Sequence, residues 1–283
     1  MGLSINTNTG AILAAVAAKR ASEDMDEAMT RLSTGKRINS AKDDPGAMQV
    51  AVRMQAEING LAAALRNTND AQASIDTGES ALQEAQTLLL RMRELAVSAS
   101  SDTATTADRA ALNTEVTALE EEIDRIGTAT TWGGIVLLGG AYTGGSAIVF
   151  QIGPRDGNTV SFSMGHLHAT TSATSAEGEL GLNSDVTTRA NATAYITTID
   201  GAISIVSAMR GKFGAVSNRL DSTIANLTNM RANLETAYGQ VVDADFALET
   251  AKLARAQILM QAATAMLSQA NASKSQTLKL ING

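Results

Sequence analysis

The chain has 283 residues, a net charge of −7 from 22 basic and 29 acidic side chains, and no cysteine. An acidic balance disfavours wrapping around nucleic acid or adhering to acidic lipid, and the lack of cysteine excludes disulfides and thiolate sites. Aromatics make up 3% of residues, with Trp132 the single tryptophan, and the only prolines are Pro45 and Pro154; that scarcity points away from a compact globule and toward long helices.

The N-terminus, Met1-Gly2-Leu3-Ser4-Ile5-Asn6, has no basic front, continuous apolar core or cleavage site, so it does not read as a secretory signal or a myristoylation site. No window approaches the roughly 20 apolar residues of a membrane span, so no membrane insertion is expected. Ala11 to Leu32 reads as a helix with Ile12, Val16, Met25, Met29 and Leu32 at loose three-four spacing, and Gly35 as its stop. Lys36-Arg37 reads as a solvated turn. Asp44-Pro45 supplies an N-cap and a first-turn proline for a second helix over 45–100. In it Met54, Ile58, Leu61, Leu65, Ile75, Leu82, Leu89 and Met92 follow a seven-residue repeat, and Thr68, Gln72 and Glu79 fill polar gaps. A rod of about 75 Å cannot bury such a stripe in a globule and must lie along other long helices.

Thr105 and Asp108 have capping-box spacing ahead of a helix over 105–127, where Leu112, Val116, Leu119, Ile123 and Ile126 alternate by four and three and Gly127 is the expected stop. Residues 130–165 change to short apolar runs between glycines, with Asp156-Gly157-Asn158 as a hairpin turn, and read as one small antiparallel β element. Residues 169–190 read as loop. A further long helix over 190–238 keeps a heptad seam through Ile196, Ile199, Ile203, Val206, Phe213, Leu220, Ile224, Leu227 and Leu234. Asp243 to about Lys279 is helical again but apolar on most faces, and such a helix is normally buried all round. One chain has too little mass near its ends to enclose it, so other copies of the same chain are the expected cover. The fold class that emerges is mainly α: a long antiparallel helical bundle or coiled coil built from both chain ends, with a small antiparallel β element in the middle.

Leu32-Ser33-Thr34-Gly35-Lys36-Arg37-Ile38-Asn39-Ser40-Ala41-Lys42-Asp43-Asp44 closely resembles the N-terminal signature of bacterial flagellins, as does Arg93-Glu94-Leu95-Ala96-Val97. Arg219 to Leu227, Asp243-Ala244-Asp245-Phe246-Ala247 and Arg255-Ala256-Gln257-Ile258-Leu259 are similar to the matching C-terminal signatures, in family order over nearly the whole chain. The resemblance implies a short flagellin without large inserted outer domains: residues 1–44 with 243–283 as an inner-tube terminal domain, and 45–242 as an outer-tube core. It implies a structural subunit of an extracellular flagellar filament, exported unfolded by a type III route. A hook–filament junction protein with flagellin-like termini is the alternative. Implied partners are identical subunits, cap and hook-junction proteins, a cytoplasmic export chaperone, and a Toll-like receptor that senses this family.

By resemblance the receptor patch falls on Arg91, Leu95 and Glu115, with an exposed leucine beside the arginine. Assembly contacts are expected at Ile12, Val16, Leu253, Ile258, Leu259 and Leu267. No catalytic, cofactor or metal site is expected. His166 and His168 could share a strand face but lack further ligands, and Gly139-Gly140 and Gly144-Gly145 lack a phosphate-binding lysine. The sequons at Asn191, Asn226 and Asn271 read as chance matches, and Thr170 to Ser175 as the exposed stretch for O-linked sugars of the kind the family carries.

Overall fold

The computed structural model describes residues 7–139, 147–163, 165–169, 179–183 and 185–282, with the backbone alone for 277–282. Gly140, Gly144, Gly145 and the 170–175 stretch lie outside the described residues. Two compact units are present. The first comprises Met1–Ile58 and Ala232–Gly283, and the second Asn59–Arg231.

In the first unit, α1 (Thr9–Thr34) starts where the Asn8 side chain accepts the Ala11 N–H at 3.1 Å. It stops at Gly35, whose φ of 69° is left-handed and strained for any residue with a Cβ. The stretch that follows is a scaffold of backbone bonds. One Asp43 carboxylate oxygen accepts the N–H groups of Asn39 and Ser40 at 2.9 and 2.8 Å. Those two donors hold the Asp43 carboxyl below its usual range. Asp44 then accepts the Ala47 N–H at 2.9 Å and Pro45 opens α2 (Pro45–Ala99). The Asn-Ser-Ala-Lys-Asp-Asp run is thus a turn followed by a cap, each acid with a separate backbone task.

The second unit is built from the rest of α2, α3 (Thr106–Ala129) and α4 (Arg189–Val242) as far as Arg231. From Leu61 to Ala99 a run of buried positions on α2 steps by three and four, with Ser74 and Leu95 buried beside it. Thr68 belongs to this seam: it is fully buried, not in a polar gap, because its hydroxyl donates to the Ala64 carbonyl at 2.7 Å and leaves only a methyl outward. The seam of α4 runs through Tyr195, Ile199, Val206 and Phe213. Polar pairs fix α2 and α4 antiparallel, with Gln72 Nε2 on Ser217 Oγ at 2.6 Å, Arg210 Nε on Glu79 at 2.8 Å and Arg93 on Asp200 at 2.7 Å. α3 folds back on α2 through the Thr105–Asp108 capping box and Arg109, which donates to the carbonyls of Ala99 and Ser101.

Two local expectations change. Gly127 does not stop α3, which continues to Ala129; a Cβ on Gly127 would sit 2.1 Å from the Leu167 carbonyl oxygen, so the glycine is there for close approach. The β region is two separate antiparallel sheets rather than one. β1 (Thr131–Trp132) and β2 (Ile135–Val136) are joined by Gly133-Gly134, both at positive φ, and β3 (Ile148–Gln151) pairs with β4 (Thr159–Phe162). Only the latter faces the core, through Val160 and through Phe162, whose ring meets Phe213 edge-on at 4.9 Å.

One buried polar pair carries a pH dependence. The Tyr195 hydroxyl donates to the Glu120 carboxylate, and burial together with that carboxylate pushes the phenol well above its ordinary value. Burial, with Asp124 nearby, pushes Glu120 up as well, against the Tyr195 bond. Below pH about 10 the phenol keeps its proton folded or unfolded; above it only the folded state does, so stability falls as pH rises. The second unit should lose about 1.4 kcal/mol per pH unit above pH about 10 through this group. Tyr195→Phe should remove that component, read as the difference between the two proteins' alkaline denaturation slopes. Equal slopes would show that the phenol titrates as if exposed.

Candidate assembly interface

α5 (Phe246–Asn282) packs antiparallel on α1 within the first unit. Arg31 reaches Glu249 at 3.4 Å at one end, and Asn8 Nδ2 donates to the Ala270 carbonyl at 3.2 Å at the other. The chain crossing below is tied by backbone bonds from Arg37 N–H to Val242 O at 2.7 Å and from Ala244 N–H to Gly35 O at 3.0 Å.

The inner seam of α1 is small. Ala14, Ala21 and Ala28 are buried, with Ala11, Ala18, Met25 and Leu32 half-buried between them. On α5 the seam is Glu249, Leu253, Ala256, Met260, Ala263, Leu267 and Ala270, again stepping by four and three. Alanines facing the partner let the two backbones approach closely. The consequence for function lies on the other faces. Leu13 is 71% exposed, Ile12 56%, Ile258 65% and Met266 63%, and Val16, Met29, Phe246, Leu248 and Leu259 are exposed too. Alanines take most of the deepest seam positions while many of the large apolar side chains point out, an arrangement that leaves the helix pair poorly stable by itself.

Between the two helices runs a groove of about 940 Å³ lined by Leu13, Val16, Ala17, Leu259, Ala262 and Met266. A second groove of about 440 Å³, sharing Asp24 and Leu259 with the first, continues it with Glu27, Arg31, Glu249, Lys252 and Arg255. The pair therefore presents an apolar half toward Asn8 and Ala270 and a charged half toward the chain crossing. Burial alone would raise the Glu249 carboxyl, but Lys252 and Arg31 overcome this and hold it below its usual range.

The expected assembly residues divide. Ile12, Val16, Ile258 and Leu259 are outward. Leu253 and Leu267 lie half-buried in the seam against α1, because they share its heptad phase, and so are contacts within the chain. Leu13, Phe246, Leu248 and Met266 are outward as well, and the alanine heptad at 14, 21 and 28, which marks the inner side of α1, is the signal that places Leu13 on the outside.

The expected receptor trio does not form a surface patch. Arg91 and Glu115 are exposed and paired, with Nε and Nη2 donating to one Glu115 oxygen at 3.0 and 2.9 Å and Nη1 to Glu94 at 3.1 Å. The two carboxylates hold the guanidinium above its ordinary pKa. Leu95, however, is 4% exposed and sits in the core cluster with Leu89 and Met92. The position falls beside the α2 seam, and the apolar residues exposed near Arg91 on that helix are Leu90 and Val97.

Other expectations are quickly placed. His168 lies 3.3 Å from Asp124 and its ring centroid 5.6 Å from that of His166, and no cluster of three metal-ligating side chains exists among the described residues. The three sequons lie on helices: Asn191 and Asn226 on α4, Asn271 on α5. Contrary to the sequence reading, α4 is long and apolar enough to cross a membrane by length and composition. Its apolar seam is nevertheless satisfied inside the bundle.

Comparison with known proteins gives this arrangement its context. Residues 5–143 match the bacterial flagellin N-terminal helical region, and residues 196–281 the bacterial flagellin C-terminal helical region. The chain is 38% identical to a flagellin of Halalkalibacterium halodurans, over 90% of this chain and 91% of that protein. It is 30% identical to polar flagellin A of Vibrio parahaemolyticus, over 99% of this chain and all of that one. A crystal structure of Bacillus cereus flagellin shares 31% identity over 60% of this chain and 94% of its own, with a TM-score of 0.48. A flagellar hook-associated protein from Vibrio parahaemolyticus shares the fold at a TM-score of 0.59 but only 18% identity, over 71% of this chain and all of that one. With both helical regions in order and relatives aligned end to end, the chain belongs to the bacterial flagellins, the structural subunits of the flagellar filament.

Proposed function

We propose that this flagellin polymerises through the outward apolar faces of α1 and α5, each subunit covering the terminal helices of its neighbours in an extracellular filament. The observation that carries this reading is the inverted pair, with alanines inside and Ile12, Leu13, Ile258 and Met266 outside. Burying a side chain of that size contributes about 1.5–3 kcal/mol, so four of them supply roughly 10 kcal/mol per subunit before ordering costs. A contact that repeats between unlike faces and does not close gives an open helical polymer rather than a ring. The bundle of the second unit has its own buried seam and serves as the stable body to which the terminal pair is attached. The output of such a filament is mechanical.

Electron microscopy of purified protein brought to polymerising conditions tests the reading. Long tubes containing this chain as the repeating subunit are expected. A junction role instead predicts short, self-limiting stacks and a few copies per native filament, and that result would overturn the proposal.

A further inference from the structure

The apolar seam between α1 and α5 selects its register poorly. On α1 the deepest positions are Ala14, Ala21 and Ala28; on α5 they are Ala256 and Ala263, with Ala270 half-buried in the same phase. The intervening α5 positions, Leu253, Met260 and Leu267, are also alike. Sliding one helix along the other by seven residues again sets alanine on alanine at the deep positions and keeps large α5 residues in the gaps, although the α1 gap residues change from Ala11 and Ala18 to Met25 and Leu32 along the seam. Where many copies bring such helices together, a slid pair or an α5 on a foreign α5 would cover almost the same apolar surface.

One seam position breaks the repeat. Glu249 occupies the same heptad phase as Ala256 and Ala263, yet it is a carboxylate whose side chain is 4% exposed. It accepts from Arg31 Nη1 at 3.4 Å and from Lys252 Nζ at 2.7 Å, and Arg31 is itself held by Glu27. Lys252 travels with α5 and so supports Glu249 in any pairing; Arg31 does not. Seven residues before Arg31 stands Asp24, which lines both grooves. A one-heptad slide would replace Arg31 by Asp24 and Glu27 by Arg20, setting an aspartate where Glu249 now meets an arginine and moving the nearest α1 arginine one turn further along. A slide the other way carries it past Thr34, where α1 ends. An α5 lying on another α5 offers no arginine at the seam position at all.

We propose that the Arg31–Glu249 pair is the selector that commits α5 to α1 in one antiparallel register, and that Asp24 acts as the repulsive element against the slid register. A buried carboxylate that keeps Lys252 but exchanges its second cation for an aspartate is unfavourable, whereas replacing both Arg31 and Glu249 by apolar residues is tolerated, so such pairs specify arrangement more than they add stability. The backbone bonds at Gly35–Arg37 and Val242–Ala244, with Arg37 Nη2 on the Val241 carbonyl at 2.7 Å, also resist a slide within one chain, so the pair adds to their selection there and acts without them where helices of different copies meet.

The test uses the full chain, which has no cysteine of its own. A Cβ at position 10 would lie 3.7 Å from the Ala270 Cβ, within disulfide reach, so Gly10→Cys with Ala270→Cys reports the native register. Gly10→Cys with Ala263→Cys reports the slide that would set Glu249 on Asp24. After mild oxidation of the assembled protein, non-reducing gels separate closure within a chain from linked dimers. With Arg31 and Glu249 in place, the slid pair should close to less than about a tenth of the native yield. In an Arg31→Leu, Glu249→Leu background the helices should still pair, but the slid yield or the linked dimers should rise at least about fivefold. Moving the arginine by one heptad, with Asp24→Arg and Arg31→Asp, should transfer the dominant cross-link from position 270 to position 263. Unchanged discrimination in the double-leucine background, loss of both cross-links there, or a cross-link that stays at 270 when the arginine moves would each overturn the proposal.

Discussion

Gly127→Ala should lower the stability of the second unit by about 3 kcal/mol, a drop in melting temperature on the order of 6–12 °C for a body of this size. The reason is contact with backbone rather than with a movable side chain. The new Cβ would sit 2.1 Å from the Leu167 carbonyl oxygen and 3.3 Å from its carbonyl carbon. Leu167 cannot simply turn aside, because its side chain is buried and its N–H donates to the Leu138 carbonyl at 2.9 Å. Nearby, Ala169 N–H donates to Asp124 at 2.6 Å, so pushing the segment off α3 strains several bonds at once. Alanine is the better helix former by about 1 kcal/mol, which offsets part of the loss but not its sign. Gly211→Ala is the control: it sits on exposed α4 with nothing within 4 Å of the added Cβ, and it should stabilise by about 0.5–1 kcal/mol. Chemical denaturation of the two variants reads both signs, and a neutral Gly127→Ala would mean that the approach of α3 to Leu167 is not as close as described.

The second large effect falls on polymerisation rather than on the fold. Ile258→Asp combined with Met266→Asp should raise the concentration needed for filament growth by about a thousandfold. Each substitution forfeits about 2 kcal/mol of apolar burial and adds a charge that the polymer would have to desolvate. Both residues are exposed in the subunit and neither is a seam position, although Met266 lines the groove beside Leu13 and Val16, so the helix pair itself should keep its structure. Leu253→Asp separates the two roles. Leu253 faces α1, and a charge there should loosen the terminal pair before any neighbour is involved. Sedimentation of polymer against subunit concentration checks the first effect and far-ultraviolet circular dichroism the second. Growth of the double aspartate variant at the ordinary concentration would show that these faces stay wet in the filament.

Where the chemistry is local, sequence and structure agree closely. Asn, Asp and Thr side chains that cap a neighbouring N–H do so within three residues, so Asp44 before Pro45 and the Thr105–Asp108 box were readable from spacing alone. The left-handed stop at Gly35 was readable for the same reason. Long seams were readable because apolar residues repeat over many turns. What failed required knowing a partner surface. Gly127 resembles a helix stop until Leu167 is placed beside it. Leu95 resembles an exposed residue near Arg91 until the bundle closes over that side of α2. In α1 the eye follows Ile12, Val16 and Met29, whereas the alanines on another face make the inner contact, because close approach of two backbones rewards absence of bulk. Glu249 gives no sign of burial in a sequence, since a single acid among alanines reads as a solvated face.

The claim on which the rest depends is that α1 and α5 gain their cover from other copies of the chain. Amide hydrogen exchange, followed by mass spectrometry on the subunit and on the filament, measures this directly. Residues 9–34 and 246–276 should exchange quickly in the subunit and become strongly protected on polymerisation. The α2, α3 and α4 seams of the second unit should be protected in both. Equal protection of the terminal helices before and after assembly would contradict the account.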